Sequence, residues 1–465
     1  MKHGARLVVI AFALAACRAS SGAAPPQAQV IVHVDTDAPV AHASAAESPS
    51  WTDPIPLFDR LHVDLFPPGA TAPCDSCTNE FSVSYEQLAA SLVSFALVPA
   101  QGDDGWVARV RLTVERFELS TGELDPAVTI DEYVAIPPVA EGQVLDVSVV
   151  LPTGGTGQTT GSLQAPAAPA PGAPGASVVG TWSSAQRVTC ASAAPAGAVC
   201  VPGGAFWMGA SSDALVPGAS QTWRRLVVLS PFWLRTKEVT VAEARGHVDA
   251  GQVESWSGST DGSSAVDFCT YLPSPGARDV LPITCVTQQG AAGFCAGQGG
   301  ALPSEAQLEY ASGGALGQPY PWGYDQPDCS EAIWGRGGYG LFLDYIPQVC
   351  LAKTNFMQPM GGPEPPGKGT WDVLALPGGS VFDLAGNVYE LAADTFQYST
   401  EPCWAPTGVL RDPVCTQPSD PPPSHAVRGG SWDVGGSYLE AGHRLQLLDG
   451  MGQPDTGFRC AWPGE

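Results

Sequence analysis

No apolar run in this 465-residue chain reaches the ~20 residues that a membrane-spanning helix needs. Positive charge is also scarce. There are 21 Lys and Arg against 46 Asp and Glu, a formal net charge of −25. Such a surface repels polyanions and excludes nucleic acid as a natural partner. Charged residues of both signs make up only 14%, while Gly and Pro number 54 and 44. These two residue types interrupt regular elements, so short strands, short helices and much ordered loop are expected. Histidine is rare: beyond residue 50 only His62, His247, His425 and His443 occur, with no helical ligand spacing. No cysteine lies between Cys415 and Cys460.

What is present begins with an export signal. Lys2, His3 and Arg6 precede the apolar run Leu7 to Ala16, the pattern of a secretory leader over 1–17. Leu14-Ala15-Ala16-Cys17 resembles the lipobox of bacterial lipoproteins, which makes Cys17 the expected lipid-attachment residue. A lipid anchor implies the cell envelope as location and the membrane as a partner. Arg18 lacks the acidic character that retains some lipoproteins at the inner membrane, which favours the outer one. Of the 13 cysteines, the 12 besides Cys17 form an even set, as disulfides in an exported protein require. Cys74/Cys77 and Cys190/Cys200 are plausible local pairs.

Residues 18–50 are rich in Ala, Ser and Pro and are expected to be a disordered tether. Residues 51–152 carry four period-two runs: Leu61 to Phe66, Phe81 to Tyr85, Trp106 to Val114 and Val144 to Val150. They predict a small all-β, sandwich-like domain without a cluster of titratable residues. A Gly/Pro/Thr/Ala linker is expected over 153–177. The large domain, 178–465, is expected to be α+β with little regular structure. Val227 to Leu234 is a strand candidate. Thr240 and Glu243 form a capping box for a helix to about Ala250; a second helix is expected over Thr287 to Ala296. Ser304 and Gln307 repeat the capping logic, with Gly313-Gly314 as the stop. Residues 324–380 look mostly like loop, and a stretch that long needs a clamp, metal or disulfide. Cys329 and Cys350 lie inside it.

The densest motifs lie late in the chain. Arg428-Gly429-Gly430-Ser431-Trp432, His443-Arg444 and Gly457-Phe458-Arg459-Cys460 follow Asp383-Leu384-Ala385-Gly386-Asn387-Val388-Tyr389-Glu390. Arg428, Arg444 and Arg459 are either buried partners of Asp383, Glu390 or Asp394, or the lining of a cleft for an anionic or peptide ligand. Ser431, Trp432 and His443 complete the cleft candidates. A Ser431, His443 and Asp433 arrangement is conceivable for nucleophilic catalysis, although nothing in the spacing demands it.

With Pro202-Gly203-Gly204, Lys237-Glu238-Val239-Thr240, Leu302 to Ala311 and Pro321-Trp322-Gly323 added, the order resembles the sulfatase-modifying-factor family, whose founding activity is the formylglycine-generating enzyme. The resemblance covers about 200–465 and implies a fold related to C-type lectins. It implies copper on two cysteine thiolates, soft ligands suited to Cu(I). Those positions are Val434 and Leu439 here, so copper is not expected and no catalytic residue is assigned. Cys460 lies outside that motif and is expected to be a structural half-cystine. Relatives with iron on three histidines use a helical companion domain that this chain lacks. The resemblance also implies a calcium ion on the Asp383 carboxylate, the Gly386 and Val388 carbonyls and the Glu390 carboxylate. A second calcium site is weaker, with Ala332 in place of the family asparagine before Ile333-Trp334. The leading expectation is a non-catalytic binding or scaffold module for a protein, peptide or glycan. The alternatives are a formylglycine-generating-type oxidase or other enzyme using the same cleft, and cell-surface recognition of glycans or proteins.

Overall fold

A computed structural model describes residues 28–43, 50–99, 104–114, 123–209, 224–255, 269–336, 350, 361–405, 407–418 and 422–465, with the backbone of Leu7 and Val8. Cys17 lies outside the described residues. Two compact units emerge. One comprises Met1–Ser48, Ile55–Ala185 and Thr407–Val409; the other comprises Pro49–Pro54, Gln186–Pro406 and Leu410–Glu465.

The first unit holds two five-stranded sheets. One runs in the order Thr78–Ser82, Arg60–Phe66, Val107–Thr113, Ile130–Ala135, Thr159–Thr160. Its period-two patterning does what was expected: Leu61, Val63 and Leu65 are buried. The other runs Leu7–Val8, Ser94–Leu97, Gln29–Thr36, Val144–Leu151, Ala170–Pro171.

Two expectations need correction. The tether expected over 18–50 contains Gln29–Thr36, a central strand paired in parallel with Val144–Leu151 from Gln29↔Val144 to Thr36↔Leu151. Val30, Val32 and Val34 alternate into the core, a short period-two signal hidden between Ala/Pro-rich flanks. The linker expected over 153–177 is also part of the unit. Thr159–Thr160 and Ala170–Pro171 add to the outer edges of the two sheets, where proline is tolerated. The Thr153 hydroxyl donates to Asp37 at 2.6 Å. The unit boundary therefore falls at Gln186 rather than 178.

In the second unit a four-stranded sheet runs in the order Arg444–Leu448, Ser424–Arg428, Tyr389–Thr395, Thr456–Gly457. Its register aligns Arg444 with Arg428, Arg428 with Glu390, and Glu390 with Gly457. Residues far apart in sequence thus occupy one row across the sheet. The expected helices form at Val241–Asp249, Gln288–Gly297 and Glu305–Ser312, with Thr240, Thr287 and Ser304 as side-chain N-caps. The Val227 to Leu234 candidate splits into Arg225–Leu229 and Phe232–Arg235, which join different sheets. Pro231 sits at the break, without an N–H to continue a ladder.

Six disulfides staple the chain. The local pairs Cys74–Cys77 and Cys190–Cys200 form as expected, and Cys460 pairs with Cys295. Cys269–Cys285, Cys329–Cys350 and Cys403–Cys415 complete the set. Cys329–Cys350 is the clamp required inside 324–380, of which 337–349 and 351–360 lie outside the described residues. The hairpin Val373–Leu376 and Gly379–Phe382 gives that stretch regular structure that its Gly/Pro content concealed. Among the described residues no helix is long and apolar enough to cross a membrane.

Candidate functional site

The strap from Arg428 to Leu439 leaves the central sheet through two glycines in the left-handed region, Gly429 (φ +94°) and Gly430 (φ +71°). A Cβ at Gly430 would lie 2.9 Å from the Tyr438 carbonyl oxygen, so only glycine lets the strap fold back this tightly. Backbone bonds then fix its path. Trp432 N–H donates to Asn387 at 2.9 Å, while the Trp432 and Val434 carbonyls accept from Arg336 at 2.8 Å and Gly335 at 3.0 Å.

The three arginines are not cleft lining. Arg428 and Arg444 are 1% exposed and Arg459 is fully buried. Arg444 forks onto Glu305, with Nε to Oε1 at 2.5 Å and Nη2 to Oε2 at 2.7 Å. Its guanidinium lies over the Phe396 ring, 4.6 Å from the centroid. Arg428 shares the Glu305 carboxylate at 3.0 Å and reaches Glu309 at 2.7 Å. Burial pushes the Glu305 carboxyl up, but the Arg444 and Arg428 charges outweigh it and hold the group below its usual range. Arg459 Nε meets both Glu390 oxygens, at 2.8 and 2.7 Å, and Nη2 donates to the carbonyls of Phe382 and Asp383 at 2.8 and 3.0 Å. The buried-partner alternative therefore holds. Glu390 is a partner as expected, while Glu305 and Glu309 take the place considered for Asp394. Two glutamates four apart on a helix otherwise buried on that face were the available signal.

Val434 and Leu439 are buried, at 2% and 0% exposure. Val434 lies in the main core with Tyr389, Tyr438 and Phe458. Leu439 packs with Tyr320, Trp334, Ala385 and the Cys329–Cys350 pair. Two inaccessible aliphatic side chains offer no donor to copper, so the residues present do not fit that metal.

The calcium positions fare differently from one another. Asp383 is buried; Oδ2 accepts from the Gly367 N–H, and the Gly369 backbone also supports the carboxylate. Around it lie Glu238, whose Oε1 accepts from Asn387 Nδ2 at 2.9 Å, and Asp372, which accepts from the Leu384 and Ala385 N–H groups at 3.0 and 2.8 Å. Burial, reinforced by neighbouring Asp383, raises Asp372 to about 8. Burial raises Asp383 itself to about 6 against the help of Gly367 and Arg459. Gly386 and Val388 lie on the turn between Asp383 and Glu390. Glu390, however, is held on both oxygens by Arg459, so a cation there has to displace a buried guanidinium. The four positions do not fit calcium as a set. Among the described residues no group of three or more His, Cys, Asp or Glu could hold a metal ion.

The nucleophile arrangement does not form. Ser431 Oγ donates to Asp455 Oδ2 at 3.0 Å and accepts from the Asp433 N–H at 3.3 Å. His443 is buried against the Tyr438 ring at 4.6 Å, and neither ring nitrogen has a hydrogen-bond partner. Burial and the Arg428 charge lower it to about 3, so it stays neutral. Trp432 is buried with Ile333 and Val388 rather than presented to a cleft. What sequence reasoning missed is Asp455. It brings a second carboxyl beside Asp433, and Asp433 is raised to about 7 by burial and then by Asp455. Nothing near Asp455 in the sequence marked it, because strand pairing alone carries it to the strap.

Comparison with known proteins agrees with this framework. The pattern of the sulfatase-modifying factor enzyme 1-like domain matches residues 185–463. The mouse protein named inactive C-alpha-formylglycine-generating enzyme 2 is 30% identical over 202 residues, covering 41% of this chain and 52% of that protein. The chain thus spans about half the length of this relative and of its bovine counterpart. The Streptomyces coelicolor formylglycine-generating enzyme is 27% identical over 312 residues, covering 57% of this chain and 88% of the enzyme. Among solved structures, PvdO from Pseudomonas aeruginosa aligns over 57% of this chain and 93% of its own, with 19% identity and a TM-score of 0.39. With more than half of its residues matched, the chain belongs to the sulfatase-modifying factor enzyme 1-like family and has its α+β fold.

Proposed function

We propose that this protein is an exported, lipid-anchored member of the family that uses the domain for binding or scaffolding and not for oxidation. The burial of Val434 and Leu439 in apolar clusters carries the non-catalytic half. Thiolate copper chemistry has no ligands there, and the surrounding arginines neutralise core carboxylates instead of facing a substrate. The inactive designation of the mouse relative is in keeping with it. The direct test is copper(I) uptake together with aerobic conversion of a Cys-x-Pro-x-Arg peptide. Neither is expected; oxygen-dependent formylglycine formation overturns the proposal. Ser431 donates to Asp455 and not to His443, whose ring nitrogens make no hydrogen bond among the described residues, which removes the motive for a serine-type enzyme.

Cys17 behind an apolar run supports the anchored half. In this proposal the anchor puts the mature protein in the cell envelope, on the outer membrane in preference to the inner. Metabolic labelling with a fatty-acid probe should mark the protein, and Cys17→Ser should abolish the mark. Labelling that survives the substitution refutes the anchor. The ligand class, in this proposal, is a protein, peptide or glycan, with calcium not required.

A further inference from the structure

Cys74-Asp75-Ser76-Cys77 closes the shortest loop of the six disulfides, a separation of 3 residues against 10 for Cys190–Cys200 and 165 for Cys295–Cys460. It lies at the end of the connection between the strands Arg60–Phe66 and Thr78–Ser82. That connection is mostly exposed, and so are Asp75 and Ser76. The two half-cystines differ: Cys77 is 1% exposed, whereas Cys74 is half-buried. Cys269–Cys285, Cys295–Cys460 and Cys329–Cys350 are instead buried at both ends. Cys190, Cys200 and Cys403 are half-buried, but they belong to longer loops.

The turn is held by its backbone as well as by the bond. Cys74 N–H donates to the Leu65 carbonyl at 3.1 Å, Leu65 N–H to the Cys77 carbonyl at 3.0 Å, and Cys77 N–H to the Cys74 carbonyl at 3.0 Å. The ladder then runs on from Asp64↔Thr78 to Arg60↔Ser82, and the Thr78 hydroxyl donates to Asp64 at 2.7 Å. A loop this short removes little chain entropy from the unfolded state. The fold therefore draws little stability from the bond and, by linkage, protects it little against reduction. Ser76 works in the same direction. Its φ of +64° lies in the left-handed region, which a non-glycine residue is free to leave once the ring opens.

We propose that Cys74–Cys77 is a reversible thiol–disulfide exchange site whose reactant is the dithiol of a Cys-x-x-Cys oxidoreductase. It lies in the first unit and stands apart from the binding role proposed for the second. A partner thiolate attacks the Cys74 sulfur, which is the more exposed of the two. The bond between Cys74 and Cys77 breaks, a mixed disulfide forms at Cys74, and Cys77 leaves as a thiolate that takes up a proton. The partner's second thiolate then attacks its own sulfur in the mixed disulfide and frees Cys74. Two electrons have passed to the pair, which is now a dithiol, and the partner is left as a disulfide. Reoxidation is the reverse exchange with an oxidised partner of the same class. A strand and not a helix follows Cys77, so no helix N-terminus activates a Cys74 thiolate. The pair is therefore the substrate of a catalyst and not a catalyst itself.

The test equilibrates the full-length processed protein in buffers of reduced and oxidised dithiothreitol, quenches with an alkylating agent and maps the modified cysteines by mass spectrometry. Cys74 and Cys77 should be alkylated together at a reduced-to-oxidised ratio at least about tenfold below that of any other pair, with far-ultraviolet circular dichroism unchanged. This titration needs no variant, so a substitution that fails to fold leaves it decisive. For the partner class, a thioredoxin whose second active-site cysteine is replaced by serine should stay joined to the chain through Cys74. Cys74→Ser leaves only the buried thiol and should form a mixed disulfide with oxidised glutathione at least about tenfold more slowly than Cys77→Ser. Earlier opening of another pair, loss of the sheet signal as Cys74–Cys77 opens, no thioredoxin adduct at Cys74, or equal rates for the two variants overturns the site. None of these outcomes bears on the absence of copper oxidation or on the anchor.

Discussion

Glu305 is the shared counter-charge of two buried arginines in the second unit. It is fully buried at the first turn of the Glu305–Ser312 helix, and both arginines of the sheet row converge on it. Glu305→Gln keeps the volume and removes the charge. Arg428 then still has Glu309 at 2.7 Å. Arg444 loses its charged partner, while the Gln397 carbonyl at 2.7 Å and the faces of Phe396 and Trp404 stay in place. Removing one partner of a buried ion pair costs about 3–5 kcal/mol, and a carboxylate shared by two guanidiniums belongs at the upper end, near 4–5 kcal/mol. For a unit of this size each kcal/mol lowers Tm by about 2–4 °C, so a fall of roughly 8–20 °C is expected.

The measurement is thermal and urea unfolding followed by near-ultraviolet circular dichroism, with disulfides intact. Glu309→Gln is the internal control. It serves one arginine, which retains Glu305, and should cost clearly less. The sign with pH is fixed as well. The folded-state pKa of Glu305 lies below its ordinary 4.5, so its contribution is present above 4.5 and is lost as pH falls through the folded value. The gap between parent and Glu305→Gln should close on acidification. A loss under about 1 kcal/mol at neutral pH, or equal losses for the two variants, refutes the argument that Glu305 is the shared counter-charge.

Further outcomes follow from the same structure. Leu439→Ala removes a fully buried side chain against the Cys329–Cys350 pair and should cost about 2–5 kcal/mol by urea unfolding; an effect under about 1 kcal/mol would mean the site is not packed. Replacing Cys295 and Cys460 by Ala opens a separation of 165 residues, against 12 for Cys403 and Cys415. Chain entropy gives losses of about 5 and about 3 kcal/mol, and the reverse order in unfolding experiments would contradict it. Asp433 has a folded pKa of about 7, above its ordinary 3.8, so ionisation disfavours the native state increasingly as pH rises from 4 through 7. Asp433→Asn should raise Tm at pH 8 and leave it unchanged near pH 4; a constant offset across that range would remove the carboxyl from the explanation. Millimolar calcium should leave Tm unchanged, whereas a saturable rise lost in Asp383→Asn would show that a cation competes with Arg459 for that turn.

Elements with a local cause were legible in the sequence. Thr240 with Glu243 and Ser304 with Gln307 mark helix starts through bonds spanning three residues, and both capping boxes form. Leu61, Val63 and Leu65 announce a strand by alternation. Gln29–Thr36 alternates too, but its neighbours on both sides have a tether's composition. Its place is set by pairing with a strand over a hundred residues away, which no local window contains. The same holds at the candidate site. Val434 and Leu439 were found through the family resemblance that Arg428-Gly429-Gly430-Ser431 carries. Asp455 was not, because only the parallel pairing of Tyr389 with Thr456 brings its turn to the strap.

The bracketing residues explain how such a domain keeps its fold with aliphatic side chains at the copper-ligand positions. Gly429 and Gly430 are required by backbone geometry, and Arg428, Arg444 and Arg459 by the burial of Glu305, Glu309 and Glu390. Each has a folding reason that makes no reference to a substrate. Losing one leaves an uncompensated buried charge or a clash, at a cost of several kcal/mol. The metal-ligand positions have no such tie, because an aliphatic side chain of similar volume fills the same space. Val434 and Leu439 do so within two separate apolar clusters. The frame is therefore tied to folding at every one of these positions, and the two metal-ligand positions are not.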